Sequence, residues 1–311
     1  MTQAASSVVL PYRPAIRTAR SRLVWREDRI TLAHLLAALV MGLLGVITTF
    51  PAWQDIFTIA YRDEEYSHIF IVPLVAAYLV WVRRMRLRHC KPSGRVIGPA
   101  IVAVGWICNS VGFYSGIQSL WHGGAVLVVL GCMLSVLGKG VLFRFFPAVA
   151  LMIFLVPAPG RLRLAIGTPL ENWTASISEK LLEAGGVINT DLTGNVLRIN
   201  GQPVTIAEAC NGLRMFFSLI MVMFAFCFAM PLKNYVRILI LLCSPLATVL
   251  CNVVRIIPTI LMFGYAPAYA QTFHLFAGWA MLPLAFLILY GIIKVLQWAM
   301  IPVNEYTLAA Q

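Results

Sequence analysis

Three residues with the side chains needed for acyl transfer lie in or beside apolar runs of the C-terminal half. Cys210 belongs to the sequence Glu-Ala-Cys-Asn-Gly-Leu-Arg at 208–214, directly before a long apolar run, and Arg255 and His274 accompany two later runs. A thiolate is a nucleophile, an imidazole moves protons and a guanidinium stabilises an oxyanion. If the three side chains share one membrane depth, they predict an enzyme rather than a passive membrane protein.

The composition defines the class of protein that must position them. The chain has 311 residues, of which 60% are hydrophobic and 12% charged, whereas a soluble domain has roughly a quarter of its residues charged. Its apolar runs of about 20 residues are long enough to cross a hydrocarbon core. They are continuous rather than alternating, which excludes a strand barrel. We therefore predict an all-α fold, a polytopic membrane helical bundle.

We expect about eight transmembrane helices within a single membrane domain at 31–300. A basic tail at 1–30 precedes this domain, and a short tail at 301–311 follows it. We expect no cleavable leader, because the first apolar run begins only near residue 31 and is long enough to span the membrane. The predicted spans are 31–50, 67–82, 96–114, 120–138, 145–159, 211–230, 236–257 and 274–298.

Positive charge sets the expected orientation. With the N-terminus inside, the cytoplasmic segments carry 17 Lys and Arg residues and the outer segments carry 5. This asymmetry predicts that both termini are cytoplasmic. The net charge of +12 flanks the apolar runs, which favours contact with membrane lipids and argues against a nucleic-acid partner.

The long segment 160–207 is then extracytoplasmic, as a small helix and hairpin insertion before the sixth span. Pro169 is typical of a helix start, and Gly185-Gly186 of a helix end. Between them, an apolar stripe predicts an amphipathic helix lying on the membrane surface or over a site; it consists of Leu170, Trp173, Ile177 and Leu181. Asn200-Gly201 predicts a hairpin between Val196 and Ile206.

Helix rise gives the expected depth of the three reactive groups. Cys210 precedes the sixth span, which begins near 211, and His274 begins the eighth. Arg255 is 19 residues after Val236, or about 28 Å along the seventh span. All three are therefore expected at the outer boundary. Pro258 is expected to kink or end that span.

Each residue also has a structural interpretation. Cys210 could be a small buried residue, Arg255 could reach the headgroups, and His274 could be an ordinary interfacial histidine. A helix N-terminus and nearby cations favour a reactive thiolate. The supporting residues that we expect around the site are Glu208, Asn211, Gly212, Arg214 and Asn252, the last of which shares a helix face with Arg255.

The sequence resembles the exosortases, which are related to the archaeosortases. The resemblance covers most of 60–280. It is carried by Ala207–Arg214, by Asn252-Val253-Val254-Arg255-Ile256, by His274 with Gly278, by Tyr66-Ser67-His68 through Pro73 to Tyr78 and Trp81, by Pro157 and Pro159, and by Gly194-Asn195. Asn211 stands where serine is most common, and Ile69 where glycine is common.

The resemblance implies a bacterial inner-membrane cysteine protease or transpeptidase, with its site at the periplasmic face. Cys210 is then the nucleophile, and Arg255 and His274 complete the catalytic set. The implied partners are exported proteins with a C-terminal sorting signal, consisting of a Pro-Glu-Pro-like (PEP-CTERM) motif, one membrane helix and a basic end. The family also implies a link to protein sorting and exopolysaccharide production.

Other classes fit less well. The seven cysteines show no CxxC spacing and no His-Glu-x-x-His is present, so we expect no metal and no cofactor. A rhomboid-type serine site needs Gly-x-Ser-Gly, but Phe113 precedes Ser115-Gly116 at the glycine position. A polytopic transporter and a non-enzymatic component of polysaccharide assembly are the remaining alternatives.

Overall fold

The structure is a computed structural model that describes residues 30–93, 96–186, 191–193, 196–199, 202–205 and 212–298. Apart from Ile30, the two predicted tails lie outside these residues. The described chain is almost entirely helical, as the continuous apolar runs predict.

The α-helices are numbered in chain order. They are α1 Leu32–Thr48, α2 Phe50–Arg62, α3 Val72–Val82, α4 Ile97–Ser115, α5 Gln118–Leu137, α6 Lys139–Arg144, α7 Phe146–Leu151, α8 Gly160–Ala184, α9 Gly212–Ala229, α10 Asn234–Leu242, α11 Ser244–Tyr265 and α12 Pro267–Trp298. Short 3-10 helices occupy Glu64–Phe70, Arg84–His89 and Met152–Leu155.

Three short strands form a small antiparallel sheet between α8 and α9. They are β1 Asp191–Thr193, β2 Val196–Ile199 and β3 Gln202–Thr205, in the order β1-β2-β3. Ile199 is opposite Gln202, so two residues join β2 to β3, as the predicted hairpin requires. The side of the membrane on which this sheet lies stays a prediction.

The predicted eight membrane-crossing helices are not confirmed by the part of the chain that the structure describes. Among the described residues, four segments are long and apolar enough, or up to six if each of two bent pairs counts as one span. The four are Glu65–Val82, α4, α5 and α11.

The remaining apolar runs differ from the prediction in physical detail. The first bends by 82° between α1 and α2, where Thr49 leaves helical geometry and Pro51 begins the next helix. The run at 145–159 ends in a 3-10 helix, and its axis turns by 94° into α8. The predicted span 236–257 is two helices, α10 and α11.

Backbone contact joins α4 to α5. Gly98, Gly105 and Gly112 recur every seven residues on α4 and are all buried. A Cβ at Gly105 would lie 2.7 Å from the backbone nitrogen of Val128, and one at Gly124 would lie 2.2 Å from that of Asn109. Small residues at such positions let membrane helices approach closely.

Two arginines hold the C-terminal end of α9. Arg83 Nη2 donates to the carbonyl of Phe228 at 2.8 Å, and Arg237 Nε donates to that of Cys227 at 2.9 Å. Burial, and then the charges of Arg86 and Arg237, lower the pKa of Arg83 to about 10, so it stays charged at neutral pH. Cations at a helix C-terminus are stabilising. The contacts bring the end of α3 and the start of α10 to one end of α9.

We predict that Gly124→Ala destabilises the protein by about 1–3 kcal/mol, because the new methyl group must push α4 away from α5. Thermal unfolding in detergent measures the change. Gly123→Ala is the matched control, since a Cβ at Gly123 meets nothing within 4 Å. Equal melting temperatures for the two variants would contradict the close packing.

Candidate active site

Two successive helices bring Arg255 and His274 together. Arg255 on α11 is buried, with 8% of its surface exposed, and its Nη2 lies 3.4 Å from Nε2 of His274 on α12. A guanidinium can only donate hydrogen bonds. His274 therefore accepts through Nε2, which requires a neutral imidazole at this contact.

The first turn of α9 reaches the same guanidinium. Nη1 of Arg255 lies 3.2 Å from the sulfur of Met215, the fourth residue of α9. Gly212 opens this helix. The contact therefore places the start of α9, which directly follows the cysteine motif in the sequence, beside Arg255.

The helices that carry this pair start at other residues than the depth prediction assumed. Because α11 begins at Ser244 rather than 236, Arg255 is its twelfth residue and lies about 15 Å from its far end at Tyr265. His274 is the eighth residue of α12, about 10 Å from its start. The pair therefore lies well inside the two helices, and its depth relative to the membrane boundary stays a prediction.

Pro258 does not end the helix, which continues to Tyr265. Proline removes one backbone donor, and membrane helices tolerate this where neighbouring groups compensate. The hydroxyl of Thr259 donates to the carbonyl of Arg255 at 2.8 Å. It supplies an additional donor at the turn that carries the arginine.

Several predicted site residues fall where no geometry is described. Cys210, Glu208 and Asn211 lie outside the described residues. Arg214 belongs to the first turn of α9, and its side chain is outside the described part of the structure. Their roles stay predictions.

Asn252 is on the buried face of α11, one turn before Arg255, with 1% of its surface exposed. Its Nδ2 donates to Thr174 Oγ1 of α8 at 3.5 Å. Thr174 is fully buried. Helix α8 is thus in direct contact with the helix that carries Arg255, a connection that no sequence spacing indicates.

The predicted start of α8 is wrong, although its predicted end is confirmed. The helix begins at Gly160, so Pro169 is internal. Of the predicted stripe only Leu170 is buried, whereas Trp173, Ile177 and Leu181 are 56%, 42% and 49% exposed. The inward face consists of Gly167, Leu170, Thr174, Ala175, Ser178 and Leu182. In a membrane protein a large apolar stripe is stable against lipid, and small residues fill the protein interior.

Leu170 anchors α8 to the neighbouring helices. It packs in one apolar cluster with Phe216 of α9 and with Val249 and Val253 of α11. The cluster joins the three helices along the side of α11 that carries Asn252.

An ionic contact holds the N-terminal part of α8. Arg163 Nη1 lies 3.0 Å from Glu65 and 3.6 Å from Asp63, and the hydroxyl of Tyr66 donates to the carbonyl of Ala158 at 3.2 Å. The segment containing Tyr66-Ser67-His68 therefore positions α8 as well as leading into α3.

Two further histidines have packing roles in the described residues. His68 is buried and stacks on Phe217 of α9, with ring centroids 5.1 Å apart. His122 on α5 is fully buried, and its Nε2 lies 2.9 Å from Oδ2 of Asp55 on α2. The sequence carries no spacing that would predict the Asp55–His122 pair.

The six cysteines within the described residues are all free thiols. Cys90, Cys227 and Cys251 are fully buried, as expected of cysteines that act as small apolar residues. Although Cys251 adjoins Asn252 in sequence, it packs in a separate cluster with Leu219 and Met223.

The family model described as transmembrane exosortase matches residues 53–291. The chain belongs to the transmembrane exosortase family. No curated protein and no solved structure matches the chain. The match to the exosortase model runs from α2 into α12, so it includes Arg255, His274, Asn252 and the whole of α8.

The packing of α8 generates a prediction. Leu170→Ala removes a buried side chain from the cluster with α9 and α11, and it should cost about 2–5 kcal/mol. Ile177→Ala is the matched control, because Ile177 is on the exposed face of the same helix and should change stability by less than about 1 kcal/mol. Thermal unfolding in detergent compares the two. A larger loss for Ile177→Ala would mean that the face with Trp173 and Ile177, and not the Leu170 face, is packed.

Proposed function

We propose that this exosortase-family chain is a membrane-embedded cysteine protease or transpeptidase that cleaves C-terminal sorting signals of exported proteins. The observation that supports it most directly is the 3.4 Å contact between Arg255 and His274 beside the first turn of α9. An ionisable pair inside membrane helices is costly and marks a functional site by default.

The covalent chain connects the proposed nucleophile to this pair. Cys210 stands two positions before Gly212 in the sequence, and two residues of chain reach at most about 7 Å. The first turn of α9 contacts Arg255 through Met215. Chain length therefore supports a site assembled from Cys210, Arg255 and His274.

The proposed reaction is acyl transfer through a thioester. The sulfur of Cys210 attacks the carbonyl carbon of the scissile peptide bond, and His274 takes the thiol proton. When the tetrahedral intermediate collapses, the C–N bond breaks and His274 returns that proton to the leaving amine. Water or an amine then attacks the thioester and releases the thiol.

The contact between Arg255 and His274 gives the proton transfer a second effect. A neutral Nε2 accepts from the guanidinium, but an imidazolium repels it. Proton uptake by His274 therefore releases Arg255 Nη2 as negative charge develops on the substrate oxygen. Arg255 and backbone N–H groups at the start of α9 then stabilise the oxyanion. Glu208, Asn211, Gly212 and Arg214 support this site.

The proposed location is the bacterial inner membrane, with both termini cytoplasmic and the active site at the periplasmic face. This orientation is supported by the 17 Lys and Arg residues in the predicted cytoplasmic segments, against 5 in the outer segments. Arg83 and Arg237 support it too, since they belong to two predicted cytoplasmic segments and meet at one end of α9. The proposed substrates carry a PEP-CTERM-like sorting region, and the proposed role is in protein sorting and exopolysaccharide production.

We predict that Cys210→Ala abolishes processing of a co-expressed, tagged reporter that carries a Pro-Glu-Pro-like motif, one membrane helix and a basic end. Cys243→Ala, which removes a thiol far along the chain, should process it at the wild-type rate. Immunoblotting separates the precursor from the product, and mass spectrometry of the product's new C-terminus identifies the acceptor. Equal processing by wild type and Cys210→Ala would refute the mechanism.

A second prediction concerns the shape of the guanidinium. Arg255→Lys keeps the charge, but its single nitrogen cannot occupy the positions of both Nη1, which contacts Met215, and Nη2, which contacts His274. The processing rate should fall about 10²–10³-fold, the usual loss for one oxyanion donor. Arg88→Lys, at an exposed position, is the control. An unchanged rate for Arg255→Lys would mean that only the positive charge of Arg255 matters, and not the shape of its guanidinium.

A further inference from the structure

The amide of Asn252 is buried beside the proposed site in a fixed orientation. Thr174 Oγ1 donates its proton to the carbonyl of Leu170 at 2.7 Å, so toward Asn252 the hydroxyl can act only as an acceptor. It is therefore the amide nitrogen of Asn252 that faces Thr174, and the carbonyl oxygen Oδ1 is not used in this contact.

That oxygen has no hydrogen-bond partner among the described residues, although Asn252 is only 1% exposed. A buried acceptor without a partner typically costs about 1–3 kcal/mol. Ser178, one turn after Thr174 on the inward face of α8, is fully buried, and its hydroxyl likewise has no partner in the described part of the chain. Asn252 of α11 and Ser178 on the inward face of α8 thus each hold a buried polar group without a partner among the described residues, and Asn252 lies one turn before Arg255.

We propose that Asn252 Oδ1 binds a main-chain N–H of the substrate, next to the scissile bond, and that Thr174 is the positioning residue that orients it. This inference rests on the proposed function. A peptide N–H is a donor that every peptide substrate carries, whatever its side chains. Asn252 and Arg255 are three residues apart and share one face of α11. In this arrangement Asn252 accepts a hydrogen bond from a substrate N–H, and Arg255 stabilises the oxyanion that forms on the substrate carbonyl.

The test uses the full chain in membranes and synthetic sorting-region peptides. In each peptide one N–H near the scissile bond, but not that of the scissile bond itself, is replaced by an ester oxygen. For the wild type, one such replacement should lower kcat/KM about 10- to 100-fold, with most of the loss in KM. Asn252→Ala should show a similar loss with the unmodified peptide and no further loss with that ester.

Three hydroxyl variants test the role of Thr174 independently. Thr174→Val should raise KM and reduce the sensitivity to the ester, whereas Thr174→Ser should restore both. Thr248→Val is the matched control: Thr248 is equally buried on α11, and its hydroxyl donates to the carbonyl of Ser244. It should behave as the wild type.

The inference is overturned if each ester costs the same in wild type, Asn252→Ala and Thr174→Val while Cys210→Ala is inactive. In that case the proposed function stands and only the role of Asn252 falls. Cleavage that persists in Cys210→Ala would instead overturn the proposed function.

Discussion

A guanidinium enclosed by membrane helices is the constraint on which the C-terminal half depends. A charged group without partners among membrane helices is expensive. The neighbours of Arg255 include residues of two other helices, His274 of α12 and Met215 of α9. These contacts fix how α9, α11 and α12 are rotated about their axes. They bring the end of the cysteine motif beside the arginine, so the same interaction that solves a folding problem assembles the proposed active site.

The helices and the meeting of Arg255 with His274 could be predicted from the sequence, because long apolar runs leave few alternatives and ionisable residues inside them are rare. The residues at which their helices begin could not. The prediction counted helix rise from Val236, but a new helix begins at Ser244, with Pro245 in its first turn, and α12 begins seven residues before His274. A distance counted along a helix depends on the residue at which the helix begins. Apolar composition does not mark a break between two apolar helices.

Helix α8 shows a second limit. Its stripe of Trp173, Ile177 and Leu181 follows the periodicity that in a soluble protein marks the buried face, yet these residues are exposed and Thr174 and Ser178 are buried. Hydrocarbon is as favourable for a tryptophan as a protein interior, so hydropathy alone cannot tell the two faces apart. The contact between Thr174 and Asn252 joins positions 78 residues apart, and no local pattern encodes it.

The glycines of α4 and α5 have a mechanical consequence. Where backbones touch, there is no layer of side chains that could change rotamers and let one helix slide or turn against the other. The two helices must move as one rigid body, to which α1 is also fitted at Gly42 and Gly45, close to Met133 and Val129 of α5. Any rearrangement of the helices must therefore take place elsewhere, at the sharp bends near Thr49 and at 156–159 or among the helices around Arg255. The rigid packing of α4 and α5, with α1 fitted against them, thus limits movement to those bends and to the remaining helices.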